Sequence, residues 1–276
     1  MSALQLLTPQ TTDQALRIAI PDAQWLVELS VHDVTDQLQL KTNDEEAAVV
    51  LLSGTFDLVG GSSSWPSRGA RSTPTGGRPV AVYLPPDAPF SAAASSADGG
   101  HSLLVARSRR PKAEPTKGRE ALSSIPLLPM AGSDKSFDPQ TGEWRPAETF
   151  ASAPEHLTPR RIERIEKEGA VIERVFAADY KAAAISVDEI ALQPGASLSL
   201  SALPQPASAV ECAIFVQSPH PVRIEHDGQT LDVSRPDGSR GFAFCAGAPT
   251  GLQLHCEASG ANETTAAYIA IAYAGK

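Results

Sequence analysis

From Val49 to Phe90 the chain reads VVLLSGTFDLVGGSSSWPSRGARSTPTGGRPVAVYLPPDAPF, in which every apolar run is cut short by Gly or Pro before it could complete three helical turns. Runs of this length, punctuated this way, form short strands joined by tight turns, and strands in quick succession close into a small antiparallel barrel or sandwich. The 23 prolines and 20 glycines in 276 residues extend the same rhythm to the whole chain. Aromatic residues make up only 5% of it, so the cores must be built from Val, Ile, Leu and Ala.

Strands are expected at residues 24–31, where polar and apolar positions alternate, and at 47–52, a continuous apolar run suited to burial on both faces. Further strands are expected at 55–59, after a bend at Gly54, and at 80–84 and 102–106. The segment from Pro111 to Pro159 is broken by proline throughout and reads as a connection packed over the surface, pinned by Trp144 and Phe150, with a turn at Asp138–Gly142. Thr158 as N-cap, Pro159 at the first helical position and Gly169 as terminator predict one short helix. Beyond it, strands are expected at 183–192, 211–216, 222–226, 229–233, 241–245, 252–256 and 265–273, with Asp227-Gly228 as a hairpin turn. The chain therefore divides into a first β unit (1–119), a proline-rich connection (120–168) and a second β unit (169–276), an all-β protein of two barrels.

A net charge of −9 argues against nucleic-acid binding, which requires a basic face. The basic cluster Arg107, Arg109, Arg110 and Lys112 reads first as a solvated strand end, and otherwise as a site for an anion. Cys212, Cys245 and Cys256 lack framework spacing and are expected as buried free thiols. The N-terminus lacks the pattern of a secretory signal, and no apolar run approaches the roughly 20 residues that span a bilayer. A cytoplasmic protein with no membrane partner is expected, and exposed edge strands would suit a homodimer.

Gln24–Val31 with its Trp, the acidic-then-apolar run Glu45–Gly54, the Gly69-Ala70-Arg71-Ser72 loop and Pro79–Pro86 together resemble the 5-deoxy-glucuronate isomerases of inositol catabolism. That family is built of two cupin barrels of the jelly-roll type. The resemblance covers about a third of the chain, from Trp25 to Arg107. In the second half, only the entry at Ile172–Val175 and Gln193-Pro194-Gly195, and the closing run Tyr268–Gly275, are similar. The resemblance implies an aldose–ketose isomerisation in which a divalent metal, held by three histidines and a glutamate in the second barrel, polarises the substrate carbonyl. Leu203-Pro204-Gln205 stands where the His-x-His would be, and a residue near Pro249-Thr250 where the third His would be. Glu211 alone matches the family's glutamate.

No metal ligand is therefore assigned and no cofactor is expected, with Zn or Mn only if the site is rebuilt from other residues. Glu211 and His255 would be the catalytic pair if the polar face of residues 253–257 turned into the barrel. The alternative is that Leu252 and Leu254 point inward and His255 faces solvent. His220 and His226 are expected to be exposed, and His32 and His101 are assigned no role. Arg71 would bind a substrate carboxylate or pin its own loop, and Tyr83 would fill the first barrel with its hydroxyl at the mouth. Two functions remain open: a divergent sugar isomerase, or a non-catalytic, metal-free bicupin that binds a sugar acid or another protein.

Overall fold

The computed structural model describes residues 3–12, 15–20, 23–60, 63–77, 79–84, 86–95, 100–109, 135–138, 143–146, 163–175, 185–203, 209–233, 240–258 and 264–275. Its strands in chain order begin with β1 (Ala3–Leu7), β2 (Gln10–Thr12), β3 (Ala15–Ala19), β4 (Leu26–Asp33) and β5 (Gln37–Lys41). There follow β6 (Glu45–Gly60), β7 (Ser63–Arg71), β8 (Val80–Leu84), β9 (Pro89–Ala94) and β10 (Ser102–Arg109). After a hairpin of β11 (Lys135–Asp138) and β12 (Glu143–Pro146) come β13 (Glu163–Lys167), β14 (Ala170–Arg174), β15 (Ile185–Leu192) and β16 (Ser197–Ser199). The chain closes with β17 (Ala209–Gln217), β18 (Val222–His226), β19 (Gln229–Asp232), β20 (Arg240–Ala246), β21 (Gln253–Cys256) and β22 (Ala267–Gly275). Among the described residues the helical segments are single 3-10 turns, Leu200–Ala202 and Pro249–Gly251.

In the first barrel the sheet runs β2-β3-β4-β10-β6-β9-β5, with β7 and β8 also paired to β6. β6 is long enough to serve both walls. Its first half pairs with β8 and β10, and its second half with β7 and β9. The change of wall falls at Gly54, where φ is +87° and a Cβ would lie 2.4 Å from the His101 ring, so only glycine permits this bend.

The second barrel pairs a seven-stranded sheet, β1-β20-β17-β22-β15-β14-β13, with a four-stranded one, β16-β21-β18-β19. The Asp227-Gly228 turn joins β18 to β19 as expected, with φ positive at both residues. β1 departs from the expected division at residue 119. It pairs antiparallel with β20, so the first strand of the chain belongs to the last barrel.

Three apolar layers result. Val49, Leu51, Phe56, Trp65 and Val105 fill the first barrel. Ile172, Ile190, Ile214, Leu254 and Ile269 are among those filling the second. Between them lies a third layer in which Ala48, Val50 and Ala106 meet Val187, Ala213, Phe215, Ala270 and Ala272. The first half of β6 and all of β22 are thus buried on both faces, which is why Ala47–Leu52 and Ala267–Ala274 read as continuous apolar runs. The middle layer mixes alanines such as Ala48, Ala213, Ala270 and Ala272 with the aromatic rings of Tyr83, Phe215, Phe242, Phe244 and Tyr268, so small and large side chains interdigitate between the two walls.

The expected helix is not found within 163–169, and residues 159–162 lie outside the described set. Here β13 and β14 form a hairpin in which Ile165 faces Ile172 across the strands. Ile165 packs on the second core, and that packing outweighs the local helix-start signals. Arg110, Lys112, the 139–142 turn, Phe150 and the Trp144 side chain also lie outside the described residues.

Candidate functional site

Glu211 leaves β17 on the face opposite Cys212 and Ile214 and so points away from the second barrel's interior. Its carboxylate accepts the backbone N–H groups of Gln24, Trp25 (2.8 Å) and Leu26 (3.0 Å), which lead into β4 of the first barrel. Arg109 holds the same turn from the other side, donating to the carbonyls of Ala23 (2.7 Å) and Gln24 (3.0 Å). Arg107 likewise donates to Lys41 O and to Glu45, so two of the basic cluster's arginines bind backbone within the first barrel.

His255 is half-buried on the outer face of β21, with Nδ1 at 2.7 Å from Ser197 Oγ and Nε2 at 3.6 Å from Glu225. Leu254 and Cys256 take the inward positions. The structure does not bring Glu211 and His255 into one pocket, because each leaves its strand on an outer face. His220 and His226, expected at the surface, are instead 1% and 3% exposed. His220 Nε2 lies 3.0 Å from Thr265 O, and His226 Nε2 lies 3.3 Å from Ala248 O.

Tyr83 faces the middle layer rather than the interior of the first barrel, because Val82 and Leu84 take the inward register. Its hydroxyl donates to the buried Glu46 carboxylate at 2.7 Å. Arg71, at the end of β7, crosses to the second barrel and forms a bidentate pair with Glu189 at 3.0 and 2.7 Å. It also donates to Pro74 O, which fixes the loop that follows it. Tyr268 donates a third hydrogen bond to Glu189. Burial raises the Glu189 carboxyl above its ordinary range despite Arg71. Burial works against the Arg71 charge, but Glu189 more than offsets it and the guanidinium stays charged. Burial, followed by the Glu189 charge, raises Tyr268 far above an ordinary phenol, so it remains a neutral donor.

A cavity of about 700 Å3 opens between the barrels at this level. Its walls carry hydroxyls from Ser53, Thr73, Ser102, Ser218 and Thr265, and its rim carries Asp33 and Arg240. A second compartment of about 450 Å3 adjoins it and shares Pro74, Thr75, Thr265, Ala266 and Tyr268. These volumes lie in the range of small-molecule sites. No motif marked the cleft in the sequence, since its lining comes from many separate turns. Of its lining, the sequence reading touched residues such as Ser72 in the Gly69–Ser72 loop, Tyr268 in the closing run and His101, which it assigned no role.

Residues 7–124 match the family model described as the KduI/IolB family. The first barrel is the part of the chain that is similar to the KduI/IolB family. The match takes in every strand from β2 to β10, and the resemblance read from the sequence holds there. Among solved structures, an IolB-like protein from Salmonella typhimurium LT2 aligns over 98% of this chain and 92% of its own, at 15% identity and a TM-score of 0.64. YlbA from E. coli aligns over 99% and 91%, at 13% identity and a TM-score of 0.54. An oxalate decarboxylase from Lactobacillus farciminis aligns over 98% and 84%, at 12% identity and a TM-score of 0.52. At these identities the likeness concerns fold alone, and the fold is a jelly-roll bicupin. No curated protein matches the chain.

The KduI/IolB resemblance implies a divalent ion inside the second barrel, and the residues there do not fit one. The described interior is aliphatic apart from Tyr273, three thiols, a buried Arg174–Asp188 pair and His226, which shares the inward face of β18 with Val222 and Ile224. Asp188 already holds Arg174 through two bonds of 2.9 Å. Burial pushes the Cys256 thiol up to about 11, and the hydrogen bond with Cys245, then burial, raises Cys212, while the same bond lowers Cys245. Two of the three thiols are thus held protonated, the form that ligates poorly. Among the described residues no three His, Cys, Asp or Glu side chains converge. Nor is any helix among them long and apolar enough to cross a membrane.

Proposed function

We propose that this protein binds a small sugar acid in the cleft between its barrels, as a KduI/IolB-type bicupin whose second barrel has become a packed structural core. The observation that carries this reading is the location of free volume. The second barrel's described interior is filled by aliphatic side chains, while the hydroxyl-lined space lies between the barrels. Serine and threonine hydroxyls can both donate and accept, as a polyhydroxylated ligand requires.

The KduI/IolB match favours a second reading, isomerase-like sugar catabolism at the level of the family. One set of measurements separates the two. Protein purified without chelators is assayed for Zn, Mn, Fe and Ni per chain and for turnover of 5-deoxy-glucuronate, while saturation-transfer NMR monitors sugar-acid binding. The binding reading expects saturation transfer without turnover or stoichiometric metal. Stoichiometric metal with turnover would establish the isomerase instead.

A further inference from the structure

We infer that Arg240 is the cleft's carboxylate receptor, and that Asp33 occupies it as a built-in competitor which an acidic ligand displaces. The inference rests on the cleft being the binding site. Arg240 opens β20 of the second barrel and Asp33 closes β4 of the first, so the pair spans the mouth from opposite walls. The guanidinium holds the Asp33 carboxylate through two bonds of 2.8 Å, the planar fork that a ligand carboxylate would reproduce.

Among the described residues, Arg71 and Arg240 cross between the barrels, and their surroundings separate their roles. Arg71 and Glu189 are 4% and 5% exposed, so parting them would strand two charges in an apolar layer. Arg240 and Asp33 are 21% and 59% exposed. Asp33 can return to water at little cost, leaving Arg240 facing the cavity. Arg240 is the one arginine or lysine among the described residues that line the larger compartment. A molecule bearing one carboxylate and several hydroxyls would meet Arg240 together with the Ser53, Ser102 and Thr265 hydroxyls of the same lining. The preference is for carboxylate over neutral polyol.

The test measures binding of D-gluconate and D-glucuronate by titration calorimetry, with D-sorbitol and D-glucose as uncharged counterparts. The acids should bind better than their counterparts. Asp33→Asn should tighten the acids about 3-fold by removing the competing charge, whereas Arg240→Gln should weaken them about 10-fold; neither should change the neutral sugars. Thr75→Trp, at an exposed position on the cleft wall, serves as a blocked control. Binding lost in Thr75→Trp but indifferent to both charge variants would overturn the receptor assignment and leave the cleft standing. No binding, or binding undisturbed by Thr75→Trp, would overturn both. Unchanged melting temperatures confirm that each variant is folded.

Discussion

Glu211 sits one residue before Cys212 on β17, and that single step in register decides what it does. Cys212 enters the apolar interior, while Glu211 turns outward to three backbone N–H groups of the neighbouring barrel. Glu211→Ala should cost about 2–3 kcal/mol, because three donors lose a charged acceptor at a site closed to water. The loss would be read by denaturant unfolding, and ligand binding to the folded fraction should be unaffected. Unchanged stability with lost binding would show that the carboxylate serves the ligand. In sequence Glu211 stood where the resemblance places the family's glutamate. The face it leaves was not legible there, since both faces of β17 are buried and alternation gives no phase.

At the scale of elements, the legible strands were those with continuous apolar runs or strong turn chemistry. Residues 80–84 and 222–226 appear as expected, and 211–216 lengthens by only a few residues into β17. The Asp227-Gly228 hairpin was readable because its backbone demands those residues. β1 was not readable, because its partner β20 lies far along the chain and nothing local announces a pairing at that distance. The β13–β14 hairpin was missed for a related reason. Two isoleucines three residues apart suit a helix face, but Ile165 is held by Ile172 across a turn. Removing residues 1–7 should expose the edge of β20 and withdraw Leu4 from the second core. The truncated chain should melt at lower temperature and self-associate on size-exclusion chromatography, as unpaired edges do. A monomeric truncation with unchanged melting would contradict this role.

The middle layer draws buried residues from both barrels, so the whole molecule is expected to unfold as one unit. Arg71 and Glu189 mark the polar edge of that layer. Removing one partner leaves the other charged and buried, so Glu189→Leu should destabilise by about 3–5 kcal/mol. The double variant Arg71→Met/Glu189→Leu should recover most of that loss, since two apolar groups then replace two compensating ions. Chemical denaturation of both variants checks this, and a double variant no better than the single would show that Tyr268 and Pro74 depend on the pair. The position of β1 has a further effect during synthesis. Residues 3–7 leave the ribosome long before residues 240–246 complete their docking edge. The nascent chain must therefore carry an unmated, leucine-bearing segment while everything between is made, a period in which contact with other chains competes with correct docking.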